Sequence, residues 1–86
     1  MTTFDYTIQH ADGLHARPAT MLATKMTEYD SSVIKVQKGA RFTNGKSLMG
    51  LLTLNAHAGE TVTVTVEGPG EQQVAEQLEA YMKTIL

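Results

Sequence analysis

The length and composition of this chain limit what it can be. Its 86 residues are 42% hydrophobic and 19% charged, which suits a single domain over residues 1–86 with one core. The absence of cysteine excludes a disulfide scaffold, a thiolate zinc site and a cysteine nucleophile. A net charge of −2, with Lys and Arg scattered along the chain, argues against binding of duplex nucleic acid.

The N-terminal residues do not resemble a targeting segment. No basic stretch precedes an apolar run, and no apolar run reaches the roughly 18 residues that a membrane helix needs. We therefore expect a cytoplasmic protein without membrane insertion. Its size and modest charge make a monomer the default expectation.

The first predicted elements are a strand and a helix. Apolar and polar residues alternate over residues 4–9, as in a half-buried strand, and Asp12-Gly13 marks a turn after it. From Ala16 the apolar period becomes helical, and Pro18 suits the first turn of a helix, where its missing N–H is not needed. The apolar face of this helix consists of Ala19, Leu22, Met26 and Tyr29.

The middle of the chain predicts a hairpin followed by a short helix. The β-branched segment Val33–Gln37 and a return strand over Ala40–Thr43 are separated by a turn at Lys38-Gly39. Ser47 then suits the N-cap of the short helix. The apolar residues of this helix are Leu48, Met49, Leu51, Leu52 and Leu54.

The last predicted elements are a strand over Thr61–Val66, where apolar and polar residues alternate strictly, and a helix after Gly68-Pro69-Gly70. The apolar stripe of this helix is Val74, Leu78, Tyr81, Met82 and Ile85. The order is therefore β-α-β-β-α-β-α. Alternating strands have only one face to cover, so we predict an α+β open-faced β-sandwich, a four-stranded antiparallel sheet with three helices on one face.

The segment Gly13–Thr20 is the first candidate site. It joins a strand to a helix, so His15 should lie at or just before the helix N-terminus, where free N–H groups and the helix dipole favour a phosphate. Arg17 places a cation at the positive end of this helix, which makes sense if an anion binds there. A neutral imidazole is also a nucleophile that can form a covalent intermediate. The alternative is a surface His and a surface Arg without a function.

The short helix after Ser47 is the second candidate site. It carries more apolar residues than one buried face can hold, so we expect Leu48, Met49 and Leu52 to stay exposed. An exposed apolar patch with a methionine suits docking of several partners. Ordinary core packing of these side chains is the alternative.

The remaining histidines, His10 at a strand end and His57 in a loop, indicate no further chemistry. They show no H-x-x-x-H or H-E-x-x-H spacing, and the carboxylates are dispersed. We therefore expect two surface histidines, no metal site and no Ser–His–Asp set.

Both candidate segments resemble a known family. The sequences G-L-H-A-R-P-A-T at Gly13–Thr20 and K-S-L-M-G-L-L at Lys46–Leu52 resemble HPr, the histidine phosphocarrier family of the bacterial phosphoenolpyruvate-dependent phosphotransferase system. The resemblance covers the full length. The family's open-faced sandwich also matches the predicted element order.

The resemblance implies a function for each segment. Nδ1 of His15 would accept a phosphoryl group from Enzyme I and pass it to a IIA domain for sugar uptake. Arg17 would hold the phosphate together with the helix start at Ala16 and Pro18. The chain would use no cofactor and would be a phosphoryl carrier, not a stand-alone turnover enzyme.

Ser47 resembles the family's regulatory serine, which HPr kinase/phosphorylase modifies with ATP. In organisms with that kinase, the Ser-phosphorylated form resembles a corepressor for a catabolite-control transcription factor. Phosphate on Ser47 would place charge beside the apolar docking surface and oppose Enzyme I.

Two other interpretations stay open. The stretch between His15 and Ser47 is one residue longer than in typical sugar-branch members, and a similar spacing occurs in the nitrogen-related branch, so the downstream partner is undecided. A purely regulatory module acting through Ser47 is the other alternative. Family members of that kind lose the histidine, so His15 with Arg17 and Pro18 argues against it.

Overall fold

The computed structural model describes all 86 residues. Its strands are β1 (Thr2–Thr7), β2 (Val33–Lys38), β3 (Arg41–Asn44) and β4 (Thr61–Glu67), and its helices are α1 (Ala16–Thr27), α2 (Leu48–Thr53) and α3 (Glu71–Ile85). The strands form one sheet in the order β1-β4-β2-β3, and every neighbouring pair is antiparallel. The predicted α+β open-faced sandwich is confirmed. No helix combines the length and apolar character needed to cross a membrane.

The two faces of the sheet differ in the way that the alternating sequence predicts. On the inner face, β4 buries Val62, Val64 and Val66 completely or almost so. On the outer face its threonines meet polar residues of β1: the Thr7 and Thr61 hydroxyls are 2.9 Å apart, and another threonine hydroxyl donates to Asp5 at 2.7 Å. Helices therefore cover only the inner face, which leaves the outer face to solvent.

The helices bury the apolar stripes that the sequence predicts, with additions. In α1 three of the four predicted residues are buried, and Pro18 and Ala23 are buried as well. The fourth, Tyr29, lies beyond the helix end and is half-buried. In α3, Leu78 and Met82 are buried together with Ala75, which the predicted stripe lacks. Ala75 lies three residues before Leu78 and so shares its face, but its small side chain gives a weak hydrophobic signal.

The hairpin turn differs from the predicted one. Lys38 pairs with Arg41 as the last pair of β2 and β3, so the turn is Gly39-Ala40 instead of Lys38-Gly39. Gly39 has φ of +59°, a conformation that glycine adopts without strain. The Lys38 ammonium donates to the Asn55 carbonyl oxygen at 2.8 Å, which holds Lys38 within the strand.

Candidate functional site

The connection from β1 to α1 contains a tight turn at Gly13, where only glycine fits. Gly13 has φ of +69°, and a Cβ at this position would lie 2.6 Å from the Ala56 carbonyl oxygen. The next residue, Leu14, is buried, and its N–H donates to the same oxygen at 2.9 Å. These contacts fix the backbone just before α1, so they set where His15 is presented.

His15 is the N-cap of α1, as the sequence predicts. Its backbone is extended, with φ of −100° and ψ of −169°, and its carbonyl oxygen accepts the first helical bond from Ala19 at 2.9 Å. The imidazole makes no capping hydrogen bond and is 45% exposed. The ring is therefore available to a partner.

The groups around the start of α1 are free to bind an anion. The N–H groups of Ala16 and Arg17 have no acceptor within the protein, and Pro18 has no N–H. The guanidinium of Arg17 is exposed and pairs with no carboxylate. Free amides, the positive helix end and one unpaired cation thus meet beside the imidazole, an arrangement that favours phosphate.

His15 lies in an open cleft of about 340 Å³ between the start of α1 and the end of α3. The cleft residues are His10, Asp12, His15, Arg17, Pro18, Met21, Thr84 and Ile85. Asp12 Oδ2 is 3.8 Å from Nε2 of His15 and 4.0 Å from Nδ1 of His10. The rings of His10 and His15 have centroids 6.3 Å apart.

His10 is exposed, as expected for a surface histidine, but it lies beside His15, which the sequence pattern does not predict. The N–H of Gly13 donates to the His10 carbonyl oxygen at 3.0 Å, and this reversal carries His10 back beside His15. The H-x-x-x-H and H-E-x-x-H spacings describe two histidines on one helix. They therefore do not detect histidines that a turn brings together. The sequence does contain a signal, H-x-D-G-x-H, in which the glycine marks the reversal.

His57 is exposed, as predicted, and lies outside the cleft. Its backbone N–H donates to a carboxylate oxygen of Glu60 at 2.7 Å, and the Lys38 ammonium lies 3.3 Å from the same oxygen. These two donors hold the pKa of the Glu60 carboxyl below its usual value. This cluster ties the loop before β4 to the end of β2 and does not reach His15.

Ser47 is the N-cap of α2, as the sequence predicts. Its hydroxyl oxygen accepts a hydrogen bond from the Gly50 N–H at 3.0 Å. A Cβ at Gly50 would collide with the Thr43 side chain, which explains why no Glu or Gln completes a capping box at this position. The neighbouring Lys46 ammonium donates to the carbonyl oxygens of Tyr29 and Ser32, at 2.8 Å each.

The predicted docking residues differ in exposure. Leu48 and Met49 are 37% and 70% exposed, as expected. Leu52 is only half-buried and packs against the core, so its predicted exposure is correct only in part. Met21 of α1 is also exposed, and α1 packs against α2. Met21 lies outside the buried stripe of α1, so the apolar periodicity of that helix gives no signal for it.

Comparison with known proteins identifies relatives along almost the whole chain. Residues 2–84 match the family model described as "PTS HPr component phosphorylation site". The chain is 37% identical to the phosphocarrier protein HPr of Lysinibacillus sphaericus over 91% of its length and 88% of that protein. It is also 37% identical to the HPr-like protein Crh of Bacillus subtilis, over 83% of its length and 82% of Crh. A multiphosphoryl transfer protein of Xanthomonas campestris is 37% identical over 95% of this chain, but the matched part is only 10% of that protein.

Solved structures give the same result. HPr-C-His from Thermoanaerobacter tengcongensis matches with a TM-score of 0.90 and 31% identity, over 98% of this chain and 93% of the other. An HPr dimer from the same organism matches with a TM-score of 0.74 and 31% identity, over 98% and 95% of the two chains. With the free helix terminus at His15, these matches establish that the chain belongs to the HPr family of phosphocarrier proteins.

Proposed function

We propose that this chain accepts a phosphoryl group from phosphorylated Enzyme I on Nδ1 of His15 and passes it to IIA components for sugar uptake. The carrier would act in the cytoplasm as one domain over residues 1–86, without a cofactor. The observation that carries the proposal is the exposed imidazole at the N-cap of α1, beside two unpaired amides and an unpaired Arg17.

The position of Asp12 supports the choice of Nδ1. A neutral imidazole has a proton on one nitrogen and a lone pair on the other. The carboxylate 3.8 Å from Nε2 favours the tautomer with the proton on that nitrogen, since a proton there is attracted to the negative charge. The lone pair is then on Nδ1, and this nitrogen is the nucleophile.

In the proposed step the Nδ1 lone pair attacks phosphorus. A bond between nitrogen and phosphorus forms while the bond from phosphorus to its carrier group on Enzyme I breaks, and that group keeps the electron pair. The free N–H groups of Ala16 and Arg17 and the guanidinium of Arg17 would donate hydrogen bonds to the phosphoryl oxygens. The phosphoryl group then leaves to a IIA domain by the reverse process.

The experiment that tests this function measures the intact mass of the protein after incubation with Enzyme I and phosphoenolpyruvate. The expected result is one added phosphoryl group that acid treatment removes, as for a phosphohistidine. No added mass on the folded protein, with an Enzyme I preparation that phosphorylates a known HPr, would contradict the proposal.

The Arg17→Ala variant should fold normally but accept the phosphoryl group more slowly. Arg17 is exposed and pairs with no carboxylate, so its loss removes no structural contact of that kind. Loss of one donor aimed at developing charge typically slows a reaction by about 10²–10³-fold. The measurement is the rate of phosphoryl acceptance in rapid-quench experiments.

Arg17→Lys is the matched control, because it keeps the charge but loses the planar fork of donors. We expect a rate between those of the wild-type protein and Arg17→Ala. An Arg17→Ala rate equal to that of the wild-type protein would remove Arg17 from the phosphate site.

We further propose that Ser47 is a regulatory phosphorylation site, modified by HPr kinase/phosphorylase, and that the Ser-phosphorylated protein binds a catabolite-control transcription factor. Ser47 begins the helix that carries the exposed Leu48 and Met49. A phosphate at Ser47 would therefore place charge next to an apolar surface that includes Leu52, where Enzyme I would dock. Burying that charge in a complex would cost free energy.

The Ser47→Asp variant should couple to Enzyme I about tenfold less well, a change equivalent to 1.4 kcal/mol. Aspartate can still cap α2, so the fold should be retained while one negative charge is added. Ser47→Ala is the control, since it loses the cap and about 1 kcal/mol of unfolding free energy but adds no charge. The measurement is kcat/KM for phosphorylation by Enzyme I. Equal values for the two variants would count against a docking surface beside Ser47.

A regulatory module of the Crh type is the second candidate function, favoured by the 37% identity to Crh of Bacillus subtilis. In that case Ser47 would be the functional residue and His15 would accept no phosphoryl group. A nitrogen-related phosphocarrier would use His15 but a different donor. The related dimer from Thermoanaerobacter tengcongensis also means that the monomer expected from size is not general among these relatives.

A further inference from the structure

We propose that His10, Asp12 and His15 form a binding site for a divalent transition-metal ion, with Zn²⁺ as the probe, and that metal binding prevents His15 from accepting a phosphoryl group. The first part of this proposal concerns metal binding alone. The second part rests on the function proposed for His15.

His10, Asp12 and His15 each bring one potential ligand atom to the same small region of the surface. One potential ligand atom from each residue lies within 4.8 Å of the other two. Asp12 Oδ2 is central, 3.8 Å from Nε2 of His15 and 4.0 Å from Nδ1 of His10. Metal–ligand bonds of about 2.0–2.2 Å in a tetrahedral site place ligand atoms about 3.3 Å apart. The ligand atoms would have to approach one another by about 0.5–1.5 Å to bind one ion. Exposed side chains can make movements of this size.

The donor set selects the class of ion. Two imidazoles and one carboxylate are ligands of zinc sites that keep a fourth position open for water, and imidazole suits Zn²⁺, Cu²⁺ and Ni²⁺. Mg²⁺ instead prefers oxygen ligands in octahedral geometry. Arg17 lines the same cleft and repels a cation, whereas the Asp12 carboxylate attracts it.

Metal binding would replace one existing hydrogen bond. Nδ1 of His10 accepts the backbone N–H of Asp12 at 3.2 Å, and a metal ion on this nitrogen would take its lone pair. The displaced N–H is in an exposed turn and can donate to water. The loss is therefore compensated by solvent.

The effect on phosphoryl acceptance follows from the chemistry of one imidazole ring. A metal ion on Nε2 of His15 uses the lone pair of that nitrogen, so the single proton of the neutral ring must be on Nδ1. The protonated Nδ1 has no lone pair with which to attack phosphorus. Metal ion and phosphoryl group would thus exclude each other even though they use different nitrogens.

The test of the site is calorimetric titration of Zn²⁺ into the purified protein. We expect one bound ion per chain and no binding of Mg²⁺ at the same concentrations. His10→Ala and Asp12→Ala should each bind Zn²⁺ at least about tenfold more weakly, because even outer-shell changes cost 10–100-fold in metal affinity. His57→Ala is the matched control, since His57 is the other exposed histidine with a carboxylate beside it, that of Glu60.

Unchanged Zn²⁺ affinity in both His10→Ala and Asp12→Ala would overturn the site, and so would its loss in His57→Ala alone. This result does not depend on phosphoryl transfer. It therefore separates failure of the metal site from failure of the proposed carrier function.

The antagonism is tested by measuring phosphoryl acceptance with and without Zn²⁺, each protein being compared with itself. At a concentration that half-saturates the wild-type site, acceptance by the wild-type protein should fall about twofold and acceptance by His10→Ala should change less. An equal effect on both proteins would place the Zn²⁺ effect on Enzyme I and overturn the antagonism.

Discussion

Replacing His15 with alanine is expected to abolish phosphoryl acceptance while the fold is retained. The imidazole makes no capping hydrogen bond and is exposed, so its removal takes no buried contact from the core. Without it, no imidazole remains at the N-cap of α1, next to the free amides of Ala16 and Arg17. The measurement is the intact mass after incubation with Enzyme I and phosphoenolpyruvate, together with the two-dimensional NMR spectrum of the amides.

The control for this variant is His57→Ala, which removes an exposed histidine whose side chain contacts Glu60 and does not line the cleft. It should accept the phosphoryl group at the wild-type rate. If His15→Ala still accepts a phosphoryl group, His15 is ruled out as the acceptor. If the variant accepts none but its function in the cell is unaltered, the regulatory module is favoured.

The Gly13→Ala substitution should cost the most stability of any exchange at the candidate site. A residue with a side chain at φ of +69° is strained, typically by about 1–2 kcal/mol. In addition, the new Cβ would lie 2.6 Å from the Ala56 carbonyl oxygen and 2.9 Å from Cα of His57, and both are backbone atoms that cannot rotate away. We expect a total loss of about 3 kcal/mol or more in unfolding free energy.

Gly39→Ala provides the matched control, since Gly39 has a similar φ of +59° but no atom within 4 Å of a new Cβ. It should lose only the conformational part, about 1–2 kcal/mol. Urea denaturation of both variants measures the difference. Equal losses would mean that the close approach of Gly13 to the residue 56–57 backbone does not hold the site. If the loss is larger for Gly13→Ala, phosphoryl acceptance should fall as well, because His15 follows two residues later.

The fold was predictable because its elements have clean periodicities. The strict alternation of Thr61–Val66 predicts a strand with one buried face, and the structure buries its three valines. The helical period after Pro18, following a glycine turn, predicts that His15 lies at a helix start. Both are local patterns, in which residues close together in the sequence determine the type of element and the face that it buries.

The parts that were not predicted depend on contacts between distant or oppositely directed segments. His10 and Asp12 reach His15 only because the chain reverses at Gly13, and periodicity does not report such a reversal. Leu52 is less exposed than predicted because it packs against the core, and a sequence pattern does not specify how so short a helix is oriented on the core. The hairpin turn lies one residue later than predicted because Lys38 pairs with Arg41 in the sheet, and its ammonium also contacts the distant Asn55.

The most direct test of the central claim is NMR of the protein labelled with ¹⁵N in its histidine side chains and phosphorylated with Enzyme I and phosphoenolpyruvate alone. Correlation of phosphorus with nitrogen identifies which atom carries the phosphoryl group. The account predicts one N–P bond, at Nδ1 of His15, with His10 and His57 unmodified. Phosphorus on Nε2 of His15, on another histidine or on the Ser47 oxygen would contradict it.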